Sequence, residues 1–141
     1  SLLPSSIYIR NKNFVDFATG RKTTDNYNNY FDRNVNTIMA LSSTIRANNA
    51  IGDSIYIWGD YPWLYAIVDA KNPSRYVTSF HVFGVPNGKE EVIDDINNTL
   101  PNYIIKSESS IGYFVELENI IAARYTHVAI IETAHFYARK M

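Results

Sequence analysis

The stretch that decides the fold covers residues 52–69 and reads GDSIYIWGDYPWLYAIVD. Its first half predicts a short buried strand, because Ser54 to Trp58 is rich in β-branched and aromatic residues and Gly59 stops the run. Its second half predicts a helix over residues 61–69, because the missing N–H of Pro62 suits the first turn of a helix. A strand followed at once by a helix is the repeating unit of an α/β fold.

The rest of the chain alternates the same two elements. Apolar residues three and four apart predict helices, and short β-branched or aromatic runs predict strands. The segment Arg75 to Val85 has neither pattern and predicts neither element. The order indicates a small three-layer α/β sandwich with a mostly parallel sheet and a C-terminal antiparallel edge hairpin. The other predicted helices cover residues 32–49, 89–100 and 114–121, and the other predicted strands cover residues 103–106, 128–131 and 136–139.

The chain of 141 residues is long enough for one ordinary domain and one core. We expect residues 1–30 to form an extended N-terminal arm that belongs to this domain, since Ile7-Tyr8-Ile9 is β-like and the residues after it are polar. Residues 31–141 are expected to form the α/β domain itself. A single domain is therefore predicted.

Composition excludes several function classes. With 13 basic and 14 acidic side chains the net charge is −1, so no excess positive field is present to bind nucleic acid. The longest apolar run, Trp63 to Val68, is far shorter than the roughly 20 residues that a spanning helix needs. There are no cysteines, which rules out disulfides and thiolate metal sites.

No motif for catalysis, a cofactor or a metal is found. Glycine-rich phosphate loops, HExxH and GxSxG are missing from the sequence. The three histidines, His81, His127 and His135, lack partners at metal-ligand spacing and are interpreted as surface or edge-strand residues. We therefore predict no catalytic residue, no cofactor and no metal site within this chain.

The most informative residues follow the first predicted strand. The end of a parallel strand that leads into a helix is where open α/β sheets place their ligands. Aromatic rings and a carboxylate there could stack on a sugar and accept its hydroxyls, or the rings could simply close the core under a loop. The candidates are Trp58, Asp60, Tyr61, Trp63 and Tyr65.

These residues, taken with others in order, resemble the soluble C-terminal domain of polytopic membrane glycosyltransferases related to the protein O-mannosyltransferase and lipid A aminoarabinose transferase group. The resemblance spans about Asn13 to Lys140. The residues that carry it are Tyr27 and Phe31, Gly52 to Gly59, Pro62-Trp63-Leu64-Tyr65, Pro73-Ser74-Arg75-Tyr76, Leu100 to Ile105, and Phe136 to Lys140.

The resemblance implies sugar transfer from a polyprenyl-phosphate donor on the outer face of the cell membrane. In such enzymes the catalytic acid lies between N-terminal membrane helices, so no catalytic residue is carried over to this chain. We expect an extracytoplasmic domain that binds the acceptor or covers the active site. Its expected partners are the transmembrane portion of the same polypeptide and a glycan, a protein or a lipid-linked sugar. Contacts are expected at Trp58 to Tyr65 and at the turn of Ser74, Arg75 and Tyr76.

The sequence leaves alternatives open for the role of Arg75 and for the function of the chain. The planar guanidinium of Arg75 suits a phosphate or carboxylate, but a buried structural ion pair is an equally good interpretation. The chain could also be an autonomous small α/β ligand-binding module or enzyme that uses Asp60, Tyr61 and Arg75. A third possibility is a structural interaction domain with a broad exposed apolar patch.

Overall fold

The computed structural model describes residues 5–24, 26, 33–108, 110 and 112–141, and gives only the backbone of residues 5–11. The chain divides into two compact units, Ser1–Asn36 and Thr37–Met141. That both belong to one domain stays a prediction.

The N-terminal unit contains helix α1, Ser5–Ala18, and not the extended arm that was expected. The β-like run Ile7-Tyr8-Ile9 lies within this helix, because three residues of strand propensity do not outweigh a 14-residue segment free of glycine and proline. Gly20, with φ of +74°, follows the helix and gives it a left-handed ending. Tyr27 and Phe31, which carry part of the resemblance, and residue 32, where the predicted helix 32–49 begins, lie outside the described residues.

The second unit is built on one four-stranded sheet, ordered β1-β2-β4-β3. The strands β1 and β2 are parallel, and β4 pairs antiparallel with both β2 and β3. The α/β class and the terminal hairpin are confirmed. The sheet is mixed and not mostly parallel, because the hairpin contributes two strands instead of one edge strand. The strands are β1 Ile55–Trp58, β2 Tyr103–Ser107, β3 Tyr125–Ile131 and β4 Ala134–Arg139.

Helices cover both faces of the sheet, as expected for three layers. One core packs α2 and α3 against Ile55, Ile57 and Phe136, and the other packs α4, α5 and α6 against Tyr56 and Ile104. Successive residues of a strand point to opposite sides of the sheet, so Tyr56 and Ile57 of β1 belong to different cores. The helices are α2 Val35–Ala47, α3 Pro62–Ile67, α4 Ser79–Gly84, α5 Gly88–Thr99 and α6 Val115–Arg124.

The segment that predicted neither element contains α4. This helix is six residues long and buries Ser79 and Val82, while Phe80 is 61% exposed. One and a half turns are too short to show a helical period in the sequence. Tertiary packing decides its conformation.

A search of the described residues finds no helix with the length and apolar character needed to span a bilayer.

Candidate functional site

A groove lies where the two parallel strands end. Trp58 is paired with Lys106, and Lys106 is paired with His135, so the three residues form a row across β1, β2 and β4. Residues in register on neighbouring strands project to the same face. We call this feature the strand-end groove, with a volume of about 300 Å³, and define it by Trp58, Lys106, Glu108, Tyr113, Glu118 and His135.

Lys106 and Glu118 form an ion pair inside the groove. The Nζ atom of Lys106 lies 2.7 Å from Oε1 of Glu118, and both side chains are partly shielded, with exposures of 23% and 31%. Lys106 belongs to β2, and Glu118 belongs to the first turn and a half of α6. The pair therefore joins the sheet to the helix and holds two charged groups at fixed positions.

A second polar chain begins in the groove at Glu108 and His135 and leads to His127. His135 Nε2 lies 3.0 Å from Glu108 Oε1, and His127 Nε2 lies 3.1 Å from His135 Nδ1. An ionised carboxylate only accepts, so Nε2 of His135 must donate. In neutral His135 the Nδ1 atom then accepts from Nε2–H of His127. Glu108 thus orients two imidazoles in sequence.

The aromatic side chains of the groove differ sharply in exposure. Trp58 is 2% exposed and packs against Phe83 and Phe114, with ring centroids 5.5 and 4.9 Å away. Tyr113 is 74% exposed. Trp58 therefore offers a ligand at most the edge of its ring, whereas the ring of Tyr113 is free to stack.

Gly112 sets the backbone conformation directly before Tyr113. Gly112 has φ of +75°, and a Cβ atom there would lie 2.5 Å from the ring of Phe83. This combination admits a glycine and strains any other residue. Gly112, directly before Tyr113, therefore packs closely against Phe83.

Two predicted contact residues, Tyr61 and Tyr65, are parts of the core. Tyr61 is 1% exposed and donates to Ser107 Oγ at 2.8 Å, and the hydroxyl of Tyr65 accepts from the N–H of Ile57 at 2.9 Å. Burial raises the pKa of Tyr65, since the phenolate would lose its hydration. The interpretation that these aromatics close the core fits both residues.

Three others lie outside the groove. Asp60 Oδ1 accepts from the hydroxyl of Ser79 at 3.3 Å. Ser74 is buried, and its N–H donates to Asn72 Oδ1 at 3.1 Å in a local turn. Trp63 is 68% exposed. Of these three, Trp63 has the side chain most open to a partner.

Arg75 and Tyr76 form a cluster of their own with Glu91. The guanidinium binds the carboxylate through Nε and Nη2, at 3.0 and 3.1 Å, and Nη2 also donates to the hydroxyl of Tyr76. That hydrogen bond and the charge of Glu91 raise the pKa of Arg75. The sequence allowed a buried structural ion pair at Arg75, but the pair is exposed. An incoming phosphate would have to displace Glu91 from the guanidinium.

Of the eight predicted contact residues, Trp58 lines the strand-end groove and the other seven do not. Sequence reasoning missed the residues that supply its polar groups. One signal was present: Lys106 is a charged residue at the end of the apolar run Tyr103-Ile104-Ile105. The remaining groove residues, Glu108, Tyr113, Glu118 and His135, carry no comparable local signal.

Within the part of the chain that the structure describes, no three histidine and acidic side chains converge closely enough to hold a metal ion. The polar groups of the groove bind one another in pairs instead. Carboxylates accept hydrogen bonds from the hydroxyls of a ligand, and the ammonium group of Lys106 donates to them.

Comparison with family models, with curated proteins and with solved structures finds no match to this chain.

Proposed function

We propose that this chain is the extracytoplasmic C-terminal domain of a membrane glycosyltransferase that uses a lipid-linked sugar donor. Its role is accessory: it binds the acceptor beside the membrane-embedded active site or covers that site. Bond making belongs to the transmembrane portion of the polypeptide. The proposal is supported by the order of motifs between Asn13 and Lys140 and by the groove at the ends of β1 and β2.

The strand-end groove is the observation that carries the recognition role. It combines an exposed aromatic ring, Tyr113, with two paired carboxylates, Glu108 and Glu118. Ligand sites in open α/β sheets lie at the carboxyl ends of parallel strands, which is where this groove lies. Aromatic rings and carboxylates are the groups that stack on sugar rings and accept hydrogen bonds from their hydroxyls.

The first test concerns the parent protein. We expect the reading frame upstream of Ser1 to encode several membrane-spanning segments. A start codon directly before Ser1, with no such segments, would sink the membrane-enzyme proposal.

The second test uses that parent in membranes, supplied with a lipid-linked sugar and an acceptor glycan. Tyr113→Ala should raise the acceptor KM roughly tenfold, which corresponds to about 1.4 kcal/mol, and leave kcat nearly unchanged. Trp63→Ala serves as the control, because Trp63 is also an exposed aromatic but does not line the groove. Equal effects of the two variants would contradict a recognition role for the groove.

A second candidate is an autonomous ligand-binding module or enzyme. The chain from Glu108 through His135 to His127 favours it, because a carboxylate that orients an imidazole is a common arrangement for general acid and base catalysis. Turnover of an activated aryl glycoside by the 141-residue chain, abolished by His127→Ala, would support this candidate over the first. No turnover above that of buffer would reject it for glycosides.

A further inference from the structure

The strand-end groove carries more negative than positive charge. The wall residues that can carry a charge near neutral pH are Lys106, Glu108, Glu118 and His135. One positive and two negative charges give −1 with His135 neutral, and protonation of His135 would bring the sum to zero. Because Nζ of Lys106 already lies 2.7 Å from Glu118, no wall residue of the groove offers an unmatched positive charge.

The neighbouring cavity extends this negative surface. It has a volume of about 180 Å³ and is lined by Lys89, by three carboxylates and by Phe114, which also lines the strand-end groove. One positive and three negative charges give −2. The carboxylates are Glu90, Asp94 and Glu116.

A helix begins beside the groove, and its N-terminus alone would favour an anion. However, the first turn of α6 carries Glu116 and Glu118, which offset the positive end of the helix. A phosphate would therefore meet the carboxylate of Glu108 and would have to separate Lys106 from Glu118. Phosphate sites instead present Arg or Lys side chains and open backbone N–H groups.

A neutral ring with several hydroxyls is not repelled by Glu108 and does not have to separate Lys106 from Glu118. Its hydroxyls can donate to Glu108 and Glu118 and accept from Lys106, while its apolar C–H face covers the ring of Tyr113. Tyr113 is 74% exposed, so stacking requires no movement of the core.

We propose that the strand-end groove binds the uncharged sugar ring of the acceptor and excludes the phosphate of the lipid-linked donor. This inference rests on the proposed function, since it assigns one of the two partners of sugar transfer to this groove. Tyr113 is the stacking platform, and Glu108 and Glu118 together set the selectivity against anions.

The experiment is a titration of the ¹⁵N-labelled 141-residue chain, followed by amide chemical shifts. The neutral probes are methyl α-D-glucopyranoside and maltotriose, and the anionic probes are inorganic phosphate and farnesyl phosphate. We expect saturable shifts at Ser107 and Tyr113 with at least one neutral probe and none there with either anion. Tyr113→Ala should weaken sugar binding at least tenfold, and Trp63→Ala, the matched exposed aromatic, should not change it.

The double variant Glu108→Gln/Glu118→Gln provides the test of selectivity. It removes both negative charges of the groove, keeps a polar side chain at each position and frees Lys106 from its ion pair, so phosphate should begin to shift the groove amides. If phosphate remains without effect on this variant although sugar binds, the two carboxylates do not set the selectivity and that part of the inference is wrong.

The outcomes separate this inference from the proposed function. Groove shifts with farnesyl phosphate and none with the sugars would overturn the inference but keep a recognition role, now for the donor. Saturable sugar shifts that Tyr113→Ala leaves intact would place the site elsewhere and overturn the inference alone. Absence of groove shifts with all four probes would overturn this inference and the recognition role of the groove, while the membrane-enzyme proposal would still be decided by the upstream reading frame.

Discussion

The hydroxyl of Tyr65 accepts a hydrogen bond of 2.9 Å from the backbone N–H of Ile57. Because β1 is the terminal strand of the sheet, its outward N–H groups have no strand partner. The N–H of Ile55 is satisfied by the carbonyl of Lys71 at 3.1 Å, and Tyr65 satisfies the next outward N–H. Tyr65 therefore closes the edge of the sheet and buries its ring in the core at the same time.

Tyr65→Phe should lower the free energy of unfolding by about 1–3 kcal/mol, the usual cost of leaving a buried donor unsatisfied. The ring volume is preserved, so the loss reports the hydrogen bond and not a cavity. Urea unfolding followed by circular dichroism measures it. Tyr113→Phe removes the same hydroxyl from an exposed residue and should change stability by less than about 0.5 kcal/mol. A Tyr65→Phe variant as stable as the parent chain would mean that water replaces the hydroxyl.

Alkaline pH should destabilise this protein through its buried tyrosines. Burial raises the pKa of Tyr56 and Tyr65 above the value of about 10 in the unfolded chain. The stability that this difference contributes is therefore complete below about pH 10 and is lost as pH rises above it. Each tyrosine that stays neutral in the folded state lowers the free energy of unfolding by about 1.4 kcal/mol per pH unit in that range.

The contribution of Tyr65 can be isolated by comparing how steeply the free energy of unfolding falls with pH in the parent chain and in a variant. In Tyr65→Phe the alkaline slope should be smaller by about 1.4 kcal/mol per pH unit. Urea unfolding at several pH values above 10 measures both slopes. Equal slopes in the two proteins would show that Tyr65 ionises while folded.

Gly88 is required by a close backbone approach. A Cβ atom there would lie 2.3 Å from the carbonyl oxygen of Val82, which no side-chain rotation can relieve. Gly88→Ala should therefore separate the ends of α4 and α5 and lower the free energy of unfolding by at least about 2 kcal/mol. Thermal unfolding measures the change. Gly84→Ala is the control: nothing lies within 4 Å of its Cβ position, so its stability should be unchanged or slightly raised.

The histidine pair should have one defined arrangement of protons. Glu108 accepts from Nε2–H of His135, and neutral His135 accepts at Nδ1 from Nε2–H of His127. Both neutral imidazoles should therefore be Nε2–H tautomers, as long-range ¹H–¹⁵N correlation spectra will show. An Nδ1–H tautomer of neutral His135 would contradict this arrangement.

Local patterns in the sequence were sufficient for most of the second unit. The helix over Gly88–Thr99 buries Val92 and Ile96, which are four residues apart, and β1 is a compact β-branched and aromatic run. Such periods are properties of neighbouring residues, so they can be seen without the fold. Helix α1 was missed because its β-like run dominated the interpretation, and α4 was missed because it is too short to show a period.

By itself, the sequence determined the α/β class, most helices and strands, and the hairpin at the C-terminus. Only the tertiary structure decided which side chains share a site. His135 is 29 positions from Lys106 in the sequence and reaches it through the antiparallel pairing of β2 with β4, while Glu118 arrives on a helix packed over the same face. The physical reason is that strand order and register depend on contacts between distant segments, and a slip of one residue between β2 and β4 would put Lys106 and His135 on different faces of the sheet.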